Sequence, residues 1–435
     1  MNRNEVDVTI HGTPFTGGNS PEQEEEFRDL AFGMFIHWSC DSILGSEISH
    51  PLVGASERIV KQYHEFFPSH FYPRRFDPEE YADLADAVGM TYFCFTAKHH
   101  SGFCMFDTKT TRFNVMNSRY GRDVTRAFVE AFRRRGLRTG LYFSPLDFEW
   151  LYNNHIPIRF LHESVVPATN PGLMEYNRRQ LRELLANYGK IDLVFFDGPP
   201  DGLKQEVWRF NREILVTRGE MPTPEQEVPE TVLDRAWESC CTIGSQWNWH
   251  PRMLADKTAR QLLELLIEIR AKGGNLLLNV TPAPDGTIPQ EQESLLREMG
   301  LWLFWNRPAI YKVRPWKTPC ETTDDGEKIW YTRAKDGRTL YAFLLDPRPY
   351  LRGQRREFLL KAPLEEPIES VELLGQNGVI LEHAPEDADV ATRWRKTERG
   401  ILVSAVRCFR PCGSSTYDMP CVIRIRLRPD GGVSA

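Results

Sequence analysis

Asp197 occupies a position where a reactive carboxylate is expected. It ends the apolar run Leu193-Val194-Phe195-Phe196 and is followed by Gly198-Pro199-Pro200. A run of that length fits a strand buried on both faces, as in a parallel sheet. In a barrel of parallel strands, such a strand end faces the active-site mouth. A carboxylate there either caps the following loop or takes part in chemistry. A second acid, Glu238, lies between Trp237 and the stretch Ser239-Cys240-Cys241-Thr242-Ile243, where desolvation is expected to raise its pKa. One carboxylate that stays ionised and one carboxylic acid that keeps its proton are the pair needed to cleave a glycosidic bond. At a separation of about 5–5.5 Å, the ionised partner attacks the anomeric carbon directly. Strand-end acids also serve other chemistries, so the pair alone leaves the reaction open.

Three histidines narrow it. His37 ends the first apolar strand, and His99-His100 end the second. A lone strand-end histidine is commonly a structural hydrogen-bonding residue. Three at one barrel mouth, with no matching acidic cluster on a helix, suit recognition of hydroxyl groups better than a closed metal site. His and Asp at strand ends also build hydrolytic metal sites, and that reading stays open at this point. The segment Gln246-Trp247-Asn248-Trp249-His250-Pro251 offers aromatic walls for a sugar pocket, or the packing of a loop.

The elements that must position these residues alternate. Strands are expected at residues 32–38, 91–97, 137–144, 191–196, 237–243 and 276–280. Helices are expected at 78–88, 124–135, 174–188, 259–272 and 290–305. Residues 45–75, with Pro51, Pro68 and Pro73, read as loop. About six clear strands with helices between them give an irregular (β/α)8-like barrel of the α/β class. After Pro308 the pattern becomes short β-rich runs separated by turns, which is the signature of an antiparallel β-sandwich. The expected division is an N-terminal extension over residues 1–25, a catalytic barrel over 26–315 and a β-sandwich over 316–435.

The 435 residues are enough for two domains. Apolar residues make up 41% and charged residues 26%, the proportions of a globular protein. A net charge of −6 and a pI near 6.1 leave no basic footprint for nucleic acid. No apolar run is long enough for a membrane helix, so no membrane partner is expected. The first residues carry no apolar leader segment. The nine cysteines are irregularly spaced with no Cys-x-x-Cys pattern. They read as buried free thiols in a reducing compartment, and a cytoplasmic location is the expectation.

Taken in order, several segments resemble the retaining α-L-fucosidases of glycoside hydrolase family 29. They are residues 32–38, 96–103, Gly121-Arg122-Asp123, 140–144, 191–198, Thr223-Pro224-Glu225-Gln226, 237–247 and 273–286. The resemblance implies that Asp197 is the nucleophile and Glu238 the acid/base, with Glu47 the next candidate for the acid. It places His37, His99 and His100 at sugar-binding positions. Glu47, Tyr142 and Trp247 match further pocket positions. It implies no metal and no organic cofactor. The expected substrate is a fucosylated oligosaccharide or glycoconjugate bearing terminal α-L-fucose, and an oligomer is compatible with it. Ser39, Ser101, Phe195 and Ile48-Ser49 depart from the usual pattern. The alternatives carried are a related sugar such as an α-L-galactoside, and a non-catalytic carbohydrate-binding protein on the same scaffold.

Overall fold

Seven short runs become parallel staves. The computed structural model describes residues 17–428 together with the short strands Thr9–Ile10 and Thr13–Pro14, apart from residues 161, 253–255, 347, 363, 365, 377–388 and 409–418. Residues 1–8, 11–12 and 15–16 of the segment read as an N-terminal extension, and Cys412, therefore lie outside the described residues. The staves are β1 (Phe32–Ile36), β2 (Tyr92–Lys98), β3 (Arg138–Phe143), β4 (Leu193–Phe196), β5 (Leu215–Val216), β6 (Glu238–Thr242) and β7 (Asn275–Val280). They pair in the order β5-β4-β3-β2-β1-β7-β6, every ladder parallel.

Strand periodicity explains why these runs are apolar throughout. Phe35, Tyr92, Cys94, Tyr142, Phe195, Cys240 and Leu277 fill the barrel interior. Their sequence neighbours Met34, Phe93, Leu141, Val194 and Leu276 pack outward into a second cluster that includes the surrounding helices. A strand buried on both faces has no polar side to show. Gly33 faces inward and carries no side chain for a steric reason: a Cβ there would sit 2.4 Å from the Tyr92 ring.

An eighth stave has no strand signature. After β5 the chain turns, and residues 222–226 run alongside β6. The Glu238 N–H donates to the Pro222 carbonyl at 3.2 Å and the Cys240 N–H to the Pro224 carbonyl at 3.2 Å. The Gln226 N–H donates to the Cys240 carbonyl at 2.9 Å. Glu225 and Cys240 form a parallel bridge. Two prolines within five residues hide this stave from any reading of alternation.

Two further departures from expectation concern helices. Residues 57–70, read as loop, form a helix, Glu57–His70, that buries Val60, Tyr63 and Phe67 on one face. Pro68 falls in its last turn and removes one N–H from the helix ladder there without ending the helix. Residues 21–28 form the helix Pro21–Arg28, opened by a reciprocal cap between Ser20 and Gln23. It begins inside the segment read as an extension, and its Phe27 plugs the barrel floor beside Tyr92.

Beyond the last barrel helix, Gln290–Ile310, two antiparallel sheets face each other. The larger has the order Val313–Thr322, Lys328–Ala334, Thr339–Leu344, Cys421–Leu427, Ile368–Leu373. The smaller has the order Arg355–Leu360, Gly400–Val406, Arg393–Thr397. Tyr331, Leu340, Ala342, Ile423 and Ile425 meet Leu360, Ile401, Val403 and Ala405 between them, a β-sandwich core. The other face of the larger sheet, with Trp330, Tyr341 and Phe343, joins the barrel's outer core. Trp302 Nε1 donates to the Pro420 carbonyl at 2.7 Å and Thr332 Oγ1 to the Ala309 carbonyl at 2.9 Å. The sandwich is thereby fixed to the barrel by both packing and hydrogen bonds.

Candidate active site

At the C-terminal ends of the staves lies a cavity of about 490 Å³ that opens to solvent. His37, Glu47, His99, His100, Tyr142, Asp197 and Trp247, all singled out from the sequence, line it. Other lining residues, none given an individual role from the sequence, include His50, Arg218, Glu225 and Gln246.

Asp197 is the most heavily engaged group. Tyr142 Oη donates to its Oδ2 at 2.6 Å, and His100 Nε2 lies 3.4 Å from the same oxygen. Arg218 Nη1 stands 3.4 Å from Oδ1. Burial alone would raise the pKa of this carboxyl. The hydrogen bond from His100 and the charges of His100 and Arg218 overturn that and hold it well below the usual carboxylate range. The side chain is therefore an ionised, oriented carboxylate at the cavity floor.

Glu238 does not reach the cavity. It is the first residue of β6, paired in register with Asn275 at the start of β7. In a parallel barrel that is the end opposite Asp197. Glu238 Oε2 accepts from Tyr92 Oη at 2.6 Å, and the residue is fully buried. Burial pushes its pKa up to about 7. The expected desolvation is present, but at the closed end of the barrel. The assignment of Glu238 as acid/base is corrected on this geometry. Trp237, the bulky neighbour expected to desolvate Glu238, lies in the outer core, and its Nε1 donates to the Lys272 carbonyl at 3.2 Å.

The second carboxylate in the cavity is Glu225, carried on the irregular eighth stave. Its Oε2 lies 3.0 Å from Arg218 Nη1, and its Oε1 accepts from Trp247 Nε1 at 3.0 Å. The motif Thr223-Pro224-Glu225-Gln226 was visible, but no strand pattern signalled that Glu225 would stand beside Asp197. Glu47 lines the mouth with 61% of its side chain exposed, 3.8 Å from His50 Nδ1.

The walls are braced from behind. Asp41, fully buried, accepts from the Ser49 N–H at 2.9 Å, from Tyr63 Oη at 2.7 Å and from Asn248 Nδ2 at 3.3 Å. It ties the loop bearing Glu47 and Ile48 to the loop bearing Trp247. Ser49 itself is held at φ +61°, a left-handed conformation that a non-glycine residue keeps only when its surroundings impose it. In β2 the register slips between Thr96 and Lys98. Lys98 turns toward the helix Pro171–Asn187, where its Nζ meets Asp147 at 3.1 Å, Asn177 at 2.7 Å and Gln180 at 2.8 Å. His99 and His100 follow at the mouth. Nitrogen and oxygen atoms of His99, His100 and Asp197 lie within 4.8 Å of one another, a spacing that would admit a cation. Asp197 Oδ2 is already engaged there by Tyr142 and His100.

The family model described as Alpha-L-fucosidase matches residues 13–307. Plasma alpha-L-fucosidase of Pongo abelii is 30% identical over 363 residues, covering 73% of this chain and 76% of that protein. Tissue alpha-L-fucosidase of Bos taurus is 31% identical over 363 residues, covering 73% and 74%. Among solved structures, alpha-L-fucosidase isoenzyme 1 from Paenibacillus thiaminolyticus superposes with a TM-score of 0.73 at 25% identity, covering 94% of this chain and 100% of the other. The Thermotoga maritima alpha-fucosidase gives 0.72 at 26% identity, covering 93% and 96%. With the barrel, the sandwich and the acid-lined cavity in place, these matches identify the chain as a glycosidase belonging to the α-L-fucosidase family.

Proposed function

We propose that this cavity releases terminal α-L-fucose by double displacement, with Asp197 as nucleophile and Glu225 as acid/base. The observation that carries the reading is that both carboxylates contact one nitrogen, Arg218 Nη1, at 3.4 and 3.0 Å. Their oxygens therefore lie no more than about 6.5 Å apart. That bound fits the close pair of a retaining glycosidase, about 5–5.5 Å, and falls short of most of the 6.5–9.5 Å range that leaves room for an inverting water. The Thermotoga maritima relative, solved in complexes with fucose and with a mechanism based inhibitor, supports the substrate class.

Asp197, held by His100, Tyr142 and Arg218, is the ionised partner, which leaves the acid role to Glu225 in this reading. Glu225 gives its proton to the leaving oxygen as Asp197 attacks the anomeric carbon. Once Asp197 is esterified its charge is gone, and Arg218 pairs with Glu225 alone. The Glu225 carboxylate, having given up its proton, takes one from water as the water cleaves the ester. His37, His99, Glu47 and Trp247 face the sugar. Tyr142 aims Asp197, with its ring stacked between His99 and Phe195.

Incubation with 2-fluoro-fucosyl fluoride tests the reading. The expected result is an inactivated enzyme whose labelled peptide carries the sugar on Asp197. A label on another residue, or undiminished turnover of an aryl α-L-fucoside, would overturn it.

A further inference from the structure

His37, His99 and His100 each have Nδ1 turned into the cavity wall, and the partner of each Nδ1 fixes where its proton lies. Which ring nitrogen carries hydrogen is set by the hydrogen bond the other one makes. His37 Nδ1 lies 2.8 Å from Asn279 Oδ1, which also accepts the His37 backbone N–H at 3.2 Å. Asn279 Nδ2 donates to the Trp247 carbonyl at 2.9 Å. Flipping that amide would set its NH₂ against a backbone N–H and its oxygen against a carbonyl, so the orientation is determined. Asn279 therefore presents an acceptor, and His37 carries its proton on Nδ1.

His99 meets the opposite arrangement. Its Nδ1 lies 2.8 Å from Ser49 Oγ, which accepts the Ser101 N–H at 2.8 Å. Ser49 is fully buried. Among the described residues its hydroxyl hydrogen has one acceptor in reach, His99 Nδ1. A buried donor left without an acceptor would be costly, so the serine donates and His99 Nδ1 is bare. His100 repeats the first case. Its Nδ1 lies 2.6 Å from Ser144 Oγ, whose single hydrogen goes to the Leu146 carbonyl at 2.9 Å. His100 Nδ1 must be the donor.

We infer that Asn279, Ser49 and Ser144 are positioning residues that give the cavity histidines opposed polarities, with Nδ1 protonated on His37 and His100 and bare on His99. Burial lowers the pKa of His37 to about 4 and holds that of His99 well below the ordinary value, so both rings are neutral near pH 7. His37 then offers a bare Nε2, which accepts a hydroxyl hydrogen. His99 offers an Nε2–H, which donates to a hydroxyl oxygen. A ligand seated here must present a hydrogen to His37 and a lone pair to His99, a polarity code for adjacent hydroxyls. What the code reads rests on the sugar-site reading above; the proton positions rest on the hydrogen bonds alone.

The test is a long-range ¹H–¹⁵N correlation spectrum of the full-length enzyme labelled with ¹⁵N-histidine, with each ring assigned by single substitution. Pyrrole-type Nδ1 on His37 and His100 with pyridine-type Nδ1 on His99 is the expected result. A protonated Nδ1 on His99, or a bare one on His37, overturns the inference without any variant being needed. Ser49→Ala is expected to shift His99 toward the Nδ1–H form. It should also lower kcat/KM for an aryl α-L-fucoside, by about ten- to a hundredfold if the loss matches that seen for partners that orient metal-bound histidines. An unchanged His99 signal in that variant also overturns the inference. An enzyme inert toward every α-L-fucoside that still shows the expected spectrum overturns the substrate reading and supports the proton positions.

Discussion

Asp197 and Glu225 are bound to the same nitrogen, Nη1 of Arg218, although one ends a regular stave and the other sits on a proline-flanked segment with no strand pattern. The relationship separates Glu225 from Glu238 experimentally. General acid/base groups contribute about 10²–10⁴-fold in rate. Glu225→Ala should lose on that scale with poor leaving groups, lose far less with an activated aryl fucoside, and recover with azide. Glu238→Gln should keep most of its turnover. Steady-state kinetics across a leaving-group series reads both. A leaving-group effect in the Glu238 variant and none in the Glu225 variant would reverse the assignment.

Arg218 also predicts a pH effect. Its charge is one of the causes that hold the Asp197 carboxyl low, alongside His100. The nucleophile must be ionised, so the acid limb of kcat/KM reports its protonation in the free enzyme. Arg218→Met removes a lowering influence, the Asp197 pKa rises, and the acid limb moves to higher pH. The pH profile of kcat/KM on an aryl α-L-fucoside checks this. A limb that stays in place or moves to lower pH would show that the guanidinium does not act on Asp197.

Much of the frame was legible because burial on both faces writes itself into composition. The runs around Phe35, Phe95, Leu141, Val194 and Leu277 could only be inner strands. The carboxylate at the end of β4 and the histidines after β1 and β2 followed from the same logic. What stayed hidden depends on contacts between distant segments. The eighth stave is held by backbone hydrogen bonds to β6, and prolines erase its alternation. β5 has two residues, too few for any periodicity. Glu238 was misplaced because a buried acid looks alike in sequence at either end of a stave. Only the register, Glu238 opposite Asn275, tells floor from mouth. The helix Glu57–His70 was lost to Pro68, which counted as a breaker although it falls in a last turn.

Lys98 carries a prediction about stability. Its ammonium is fully buried and satisfied by Asp147, Asn177 and Gln180. Lys98→Met leaves the buried Asp147 carboxylate with the Trp150 N–H but no counter-charge, and takes the Lys98 donor from the Asn177 and Gln180 amide oxygens. Breaking one side of a buried pair costs about 3–5 kcal/mol. The double variant Lys98→Met/Asp147→Leu should recover part of the loss, because no charge is then stranded. Urea unfolding of the three proteins measures both effects. A single variant as stable as the parent would mean that the lysine is not what satisfies Asp147.

Glu238 predicts a pH dependence of folding with a defined sign. Burial raises its pKa from 4.5 to about 7 in the folded protein, against the hydrogen bond from Tyr92. The folded state therefore holds this proton more tightly than the unfolded chain. The resulting stabilisation is fully present below pH 4.5, declines as pH rises, and is gone above pH 7. The gap between 4.5 and about 7 corresponds to about 3 kcal/mol. Asp41, pushed up to about 6 by burial, adds a slope of the same sign, so the parent alone cannot isolate Glu238. The difference between parent and Glu238→Gln does. The amide of that variant is neutral at every pH, and its stability curve should be flatter by about that amount between pH 4.5 and 7. Urea unfolding at several pH values across that window reads the difference. Parallel curves would mean that Glu238 is ionised in the folded protein and that Tyr92 and the barrel floor stabilise its charge.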